Sequence, residues 1–101
     1  MPNIKFNYLY RDGANYKNYG FVIFSNPGNI SIDLLLKTIK LKLIDETWFY
    51  ANQWNLPELY FSDFNPNIDP TWHEFESIAY TKEAPAARIT LTGFISRIQT
   101  N

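Results

Sequence analysis

The 101-residue chain contains no cysteine and a single histidine, His73. The absence of cysteine excludes disulfide scaffolds, thiol nucleophiles and zinc sites built on cysteine, and it is typical of a reducing cytoplasm. One histidine falls short of the three or four ligands that a zinc site needs. We therefore expect no metal site, no cofactor and no catalytic residue.

Long apolar runs and clustered glycines are also absent. The longest apolar cluster, from Leu34 to Ile44, is interrupted by three lysines, so no transmembrane segment and no membrane partner are expected. Residues 1–6 lack the basic region and apolar run of a signal peptide, which favours a cytoplasmic protein. The four glycines are too scattered for a phosphate-binding loop, and no serine lies in a Gly-x-Ser-x-Gly setting. We therefore predict that the protein is not an enzyme.

Charge is distributed unevenly, although the net charge is only −1. Residues 1–44 carry six Lys/Arg against two Asp, whereas residues 45–87 carry eight Asp/Glu against one Lys. If the acidic residues between 45 and 83 form one face, that face would suit a basic protein partner. The alternative is a solvated acidic surface that binds nothing.

Aromatic residues make up 18% of the chain, and the stretch 8–19 holds four tyrosines around an Asp-Gly turn. Tyrosine and arginine are enriched at interface hot spots because they bury a large area with few rotors and a polar tip. Residues 72–74 add an indole, the imidazole and a carboxylate. The predicted binding residues are Tyr10, Arg11, Asp12, Asn15, Tyr16, Lys17, Trp72, His73 and Glu74.

Two of these segments resemble a small bacterial protein family. The similar motifs are Tyr-Leu-Tyr-Arg-Asp at residues 8–12 with Asn-Tyr-Lys at 15–17, and Trp-His-Glu-Phe at 72–75. The resemblance implies no activity, cofactor or partner. It does imply that the hairpin loop and the Trp-His-Glu turn work together.

The first half of the chain has clear local signals. Period-two alternation over 4–10 and the apolar run 19–24 predict two strands of an antiparallel hairpin. A helix is predicted at 31–44, with Ser31 as its N-cap and with Leu35, Leu36 and Ile39 buried. Leu34 and Leu41 widen its apolar stripe, which predicts that the helix is covered on more than one side.

The second half is less regular. Short strands are predicted at 48–50 and 59–61, separated by Pro57, and a further strand at 75–81. Asp69-Pro70 indicates an N-cap followed by about one helical turn through His73. Apolar spacing from Leu91 to Gln99 predicts a helix capped by Thr90, with a strand at 89–92 as the alternative.

These elements follow the order β-β-α-β-β-β-α in one domain spanning residues 1–101. They predict an α+β two-layer sandwich in which a mostly antiparallel sheet, beginning with an N-terminal β-hairpin, packs against two helices.

The leading functional hypothesis is a non-catalytic bacterial protein-binding module, similar to an immunity or inhibitor protein that binds a basic partner. One alternative is a single-stranded nucleic-acid binder that uses the aromatic hairpin loop. Another is a small hydrolase that uses His73. Exposed aromatic residues would also suit a homodimer. At the hairpin, Arg11 and Asp12 are expected to pair or to form hydrogen bonds within the hairpin. Tyr16 and Lys17 are expected to face solvent beside the turn at Trp72 and His73.

Overall fold

The computed structural model describes residues 2–100, which form an antiparallel sheet and two helices. The elements are β1 Asn3–Arg11, β2 Lys17–Phe24, α1 Ile32–Lys42, β3 Trp48–Phe49, β4 His73–Thr81 and α2 Leu91–Gln99. Within the sheet the strands lie in the order β2-β1-β4-β3. The predicted α+β class, with its N-terminal hairpin and two helices, is confirmed.

Strand β1 lies between β2 and β4 in the sheet, and the helices cover only one of its two faces. Phe6 pairs with Val22 of β2 and with Ile78 of β4, and this face packs against the helices. The intervening residues of each strand project to the opposite side, which we call the open face. Between Asn7 and Tyr8 the pairing with β4 shifts by one residue, which bulges the sheet at Glu76.

The core between the sheet and the helices is largely aromatic. Phe6 packs within 6.3 Å, centroid to centroid, of the rings of Tyr8, Phe49, Trp54, Phe75 and Phe94. Each helix contributes a buried apolar stripe: Leu35 and Ile39 from α1, and Leu91, Phe94 and Ile98 from α2. Because each large ring buries about 150–250 Å², these few side chains give a small domain an extensive core.

Two of the three predicted helix caps, Ser31 and Thr90, are confirmed. The side chain of Ser31 accepts a hydrogen bond from the backbone N–H of Leu34 at 3.2 Å, and that of Thr90 accepts one from Gly93 at 3.3 Å. Each bond satisfies a backbone donor that the first helical turn leaves unpaired. The C-terminal segment is therefore helical, and the strand alternative at 89–92 is wrong.

Helix α1 is covered on one side only, contrary to the sequence prediction. Leu34 is 58% exposed and Leu41 84% exposed, and Leu36 is half-buried, whereas Leu35 and Ile39 are fully buried. The helix also ends at Lys42 and not at residue 44. The physical reason is that α1 packs against α2 and β4 on one side, so the leucines on its outer side meet solvent.

Two predicted elements between α1 and β4 do not form. Leu59 donates its N–H to the imidazole of His73 and not to a neighbouring strand, so residues 59–61 form no ladder. Asp69 does not cap a helix, because its carboxylate accepts the N–H groups of Gly13 and Asn65. His73 instead begins β4. Residues 50–72 therefore form one long irregular segment.

Candidate functional site

Two buried tyrosines of β1 anchor the irregular segment to the sheet. The Tyr8 hydroxyl donates to the carbonyl of Pro57 at 2.6 Å, and the Tyr10 hydroxyl donates to that of Pro70 at 2.7 Å. Burial raises the pKa of each phenol to about 12, so both remain donors at neutral pH. The ends of the segment 57–70 are thereby fixed to the same strand.

His73 forms a third anchor and is fully buried. Its Nε2 accepts the N–H of Leu59 at 2.9 Å, so a neutral ring carries its proton on Nδ1. Desolvation lowers the pKa of the imidazole, and the Thr71 carbonyl and Glu58 oppose this only partly. Nδ1 makes no hydrogen bond within residues 2–100. The ring therefore supports the surface from beneath and cannot meet a ligand there.

The hairpin tip is ordered by the Asp12 side chain. Its Oδ1 accepts the backbone N–H groups of Ala14 at 3.0 Å and Tyr16 at 2.8 Å. The Asp12 N–H in turn donates to the carbonyl of Tyr16 at 3.0 Å. Asp12 thus closes the loop by itself, and the loop requires no aliphatic anchor.

The expected pairing of Arg11 with Asp12 is wrong. The Arg11 guanidinium instead meets Glu74 of β4, with Nε 2.7 Å from Oε2 and Nη2 3.3 Å from Oε1. The same guanidinium donates to the side chain of Asn15. The hydrogen bond to Glu74 raises the pKa of Arg11. Oδ1 of Asp12 binds the backbone N–H groups of the loop, and Arg11 bonds Glu74 on the neighbouring strand.

Gly13 brings the hairpin tip against the irregular segment. Its N–H donates to Oδ1 of Asp69 at 2.8 Å, and a Cβ atom at this position would lie 2.4 Å from the carbonyl oxygen of Ile68. Only a residue without a side chain permits this approach. Arg11, Asp12 and Gly13 consequently line the same surface as Trp72 and Glu74, whereas His73 between these two residues is buried.

This surface is an open groove, here called the Trp groove, at one end of the sheet. Its larger part has a volume of about 750 Å³ and lies between the hairpin tip and residues 66–72. Its smaller part, of about 280 Å³, is lined by Ile44, Asp45, Trp48, Tyr50 and Trp72. Trp48 and Trp72 line both parts. The combined lining comprises residues 11–13, 44–45, 48, 50, 66–72 and 74.

The Trp groove combines exposed apolar groups with negative charge. Trp72 is 44% exposed and Ile68 is 71% exposed, although both side chains are large and apolar. The lining carries one guanidinium, from Arg11, and four carboxylates, from Asp12, Asp45, Asp69 and Glu74, for a net charge of −3. Such a surface attracts cations and offers aromatic faces to them.

A tight turn places Asp45 at the groove. Ile44 and Trp48 exchange backbone hydrogen bonds of 2.7 and 3.0 Å, and the turn between them puts Asp45 at φ 50° and Glu46 at φ 58°. Hairpin turns of this conformation usually use Asn-Gly, because other residues are strained at positive φ. The turn is therefore strained, which costs stability. Its first residue with positive φ, Asp45, faces the groove.

Four of the predicted binding residues line the Trp groove: Arg11, Asp12, Trp72 and Glu74. Tyr10 and His73 are buried beneath it, and Asn15 holds Arg11. Tyr16 and Lys17 are exposed, as predicted, but neither lines the groove.

The groove lining also includes residues that are not among the predicted binding residues, such as Ile44, Asp45, Trp48, Tyr50 and Ile68. Local spacing does not reveal them, because the pairing of Trp48 with Glu74 brings together residues far apart in the chain. Two features of the sequence pointed toward this region: the concentration of aromatic residues after residue 47 and the acidic residues between 45 and 83.

Comparisons with protein-family models, curated proteins and solved structures give no match for this chain. Among residues 2–100, no cluster of three or more His, Cys, Asp or Glu residues is placed to hold a metal ion. Neither described helix has the length and apolarity needed to cross a membrane. The function must therefore be argued from the groove itself.

Proposed function

We propose that this chain is a non-catalytic protein-recognition module that binds a basic partner through the Trp groove, in the manner of an immunity or inhibitor protein. The observation that carries the proposal is the pairing of exposed apolar side chains, Trp72 and Ile68, with four carboxylates in one open groove. Interface hot spots combine large aromatic anchors with a polar rim in this way. The absence of cysteine and the resemblance to a bacterial family favour a bacterial cytoplasm as its setting.

The acidic residues that the proposal uses are those of the groove. Outside it, Glu83 lies 3.4 Å from Lys5, so that carboxylate already has a cation within the chain. Within it, the Glu74 charge is balanced by Arg11, while Asp12 and Asp69 accept only neutral backbone N–H groups. Asp12 and Asp69 keep their negative charge when they accept these bonds. The groove therefore offers a local field to lysine or arginine side chains.

The proposal is tested by site-specific photo-crosslinking in the natural host. A photo-reactive amino acid replaces Asn67, which lines the groove and is exposed, or Lys37 on the outer side of α1 as the matched control. We expect one predominant protein adduct from position 67 and none from position 37. Adding Trp72→Ala should remove the adduct. Adducts to nucleic acid at position 67, or the same adducts from both positions, would contradict protein recognition by this groove.

The open face of the sheet favours a second candidate function, the binding of single-stranded nucleic acid. Tyr19 is 59% exposed and Phe21 is 54% exposed, and the Lys5 ammonium lies 4.2 Å from the centroid of the Phe21 ring. Single-strand binders stack bases on such rings beside cations. The Trp groove has the wrong charge for phosphates, so this candidate depends on the open face alone.

Fluorescence anisotropy with a labelled oligonucleotide tests the second candidate. Tyr19→Ala and Phe21→Ala should each weaken binding, and affinity should fall steeply with salt, whereas Trp72→Ala should leave it unchanged. Salt-independent binding, or no binding at low salt, would reject it. We do not propose the hydrolase alternative, because its only imidazole is buried and already bonded to Leu59.

A further inference from the structure

The smaller part of the Trp groove, here called the aromatic pocket, has three aromatic walls and one carboxylate. Trp48 and Tyr50 are half-buried, Trp72 forms the exposed wall, and Asp45 supplies the carboxylate. None of these three rings makes a ring-to-ring contact with another in the described part of the chain. The pocket of about 280 Å³ between them is therefore open to a side chain from outside.

The Asp45 carboxylate is available to such a side chain. It has no hydrogen-bond or ion-pair partner among residues 2–100. Backbone hydrogen bonds between Ile44 and Trp48 hold it at the pocket despite the strained turn. Strain retained at a surface position is typical of binding sites.

These groups match the chemistry of a guanidinium ion. Aromatic faces attract cations through the ring quadrupole, and arginine is the cation most often found there. Arginine also stacks flat on indole rings and bonds a carboxylate through two parallel N–H groups, whereas lysine offers only a point charge. A neutral or anionic side chain would gain neither interaction.

We propose that the aromatic pocket receives the side chain of an arginine that the partner protein presents, with the guanidinium stacked against Trp72 or Trp48 and bonded to Asp45. The inference rests on the proposed function and specifies the chemistry of the partner. The chain's own Arg11 does not occupy the pocket, because its Nε and Nη2 bond Glu74 and its Nη1 bonds the side chain of Asn15. The net charge of −3 along the groove favours a basic segment around that arginine.

The indole N–H signals of the ¹⁵N-labelled protein provide the test, with peptides as probes. Trp48 and Trp72 line the pocket, whereas Trp54 is 3% exposed and serves as an internal control. The probes are blocked Gly-Arg-Gly and its counterparts with citrulline or lysine in the centre. We expect saturable shifts of the Trp48 and Trp72 signals with the arginine peptide, no shift of Trp54, and at least about tenfold weaker binding of the citrulline peptide.

Two variants link the binding to the pocket. Asp45→Asn should weaken the arginine peptide about three- to tenfold without changing the melting temperature, because asparagine tolerates positive φ. Trp72→Ala should abolish the saturable shift of Trp48. Equal affinity for arginine and citrulline, lysine binding as tightly as arginine, or no saturable shift would each overturn the proposal.

The outcome is separable from that of the proposed function. If the arginine peptide fails while Asn67 still crosslinks one protein in a Trp72-dependent manner, protein recognition stands and the arginine assignment is wrong. If the arginine peptide binds as expected but crosslinking gives no protein, the pocket chemistry is right and the proposed function is wrong.

Discussion

The backbone N–H of Leu59 donates to Nε2 of His73 across 2.9 Å, inside the domain and beneath the Trp groove. This bond requires an unprotonated Nε2, so the fold itself selects the neutral imidazole. The protonation state of the buried His73 ring is thus coupled to the position of the irregular segment.

Acid should weaken the fold through His73. Burial lowers the pKa of the imidazole in the folded protein, so the unfolded chain takes up a proton first as pH falls below about 6.5. The stabilisation from this group is present above that pH and is lost as pH falls toward the folded-state pKa, by at most about 1.4 kcal/mol per pH unit.

Urea unfolding of the native protein and of His73→Gln between pH 7 and 5 measures this loss. Glutamine keeps an acceptor for Leu59 but does not titrate, so the difference between the two proteins isolates the imidazole from the carboxylates. An identical pH dependence of both proteins, or an imidazole signal that titrates near pH 6.5 in the folded state, would refute the assignment.

Removing a single anchoring hydroxyl should loosen one end of the irregular segment. Tyr10→Phe leaves the Pro70 carbonyl without its donor and should lower the free energy of unfolding by about 0.5–1.5 kcal/mol. Tyr8→Phe should cost a similar amount through Pro57. Hydrogen exchange separates the two, because Tyr10→Phe should deprotect the Ile68 and Asp69 amides and Tyr8→Phe should not. Uniform deprotection by both variants would mean that the segment opens only as a whole.

Gly13 should not tolerate even a methyl group. In Gly13→Ala the new Cβ would lie 2.4 Å from the Ile68 carbonyl oxygen, so the loop or the hairpin must shift, at a cost of roughly 1–3 kcal/mol. Gly28→Ala is the matched control, since its nearest neighbour would be 3.7 Å away. Thermal unfolding should show a lower melting temperature for the first variant only. Equal melting temperatures would show that the hairpin tip at Gly13 and the backbone at Ile68 are not in close contact.

The two neighbouring leucines of α1 should respond differently to truncation. Leu35 is fully buried, so Leu35→Ala should lower the free energy of unfolding by about 2–5 kcal/mol. Leu36 is half-buried at the helix edge, so Leu36→Ala should cost clearly less, because solvent reaches the vacated space. Denaturant titration of both variants measures which loss of unfolding free energy is larger. A larger loss for Leu36→Ala would mean that this face of the helix is covered.

Local chemistry explains which parts of the fold were predictable from sequence. Ser31 and Thr90 cap helices through bonds to residues only three positions away, and a sequence displays such spacings directly. By sequence alone, Asp69 before Pro70 fits a helix N-cap equally well. Its oxygens are taken by Asn65 and by Gly13, which is 56 residues away, and only the tertiary structure reveals that competition.

Only part of the groove could be predicted from the sequence, because the rest depends on tertiary contacts. Trp54 and Trp72 are the same residue type, yet Trp54 is buried in the core and Trp72 lines the groove. Arg11 and Glu74 could be predicted as binding residues from their charge and their sequence neighbours. Their pairing with each other depends on the register of β1 with β4. Sequence patterns identified the hairpin tip, and strand pairing added Trp48.

The way the irregular segment is held has a consequence for how related chains can diverge. Its anchors, Tyr8, Tyr10 and His73, are buried, whereas Asn67, Ile68 and Trp72 are exposed and their side chains form no hydrogen bond within residues 2–100. Mutations at these exposed positions remove none of the hydrogen bonds that anchor the segment. Under the proposed function, changes at the rim alone would exchange one partner for another, and randomising the same positions would retarget the groove.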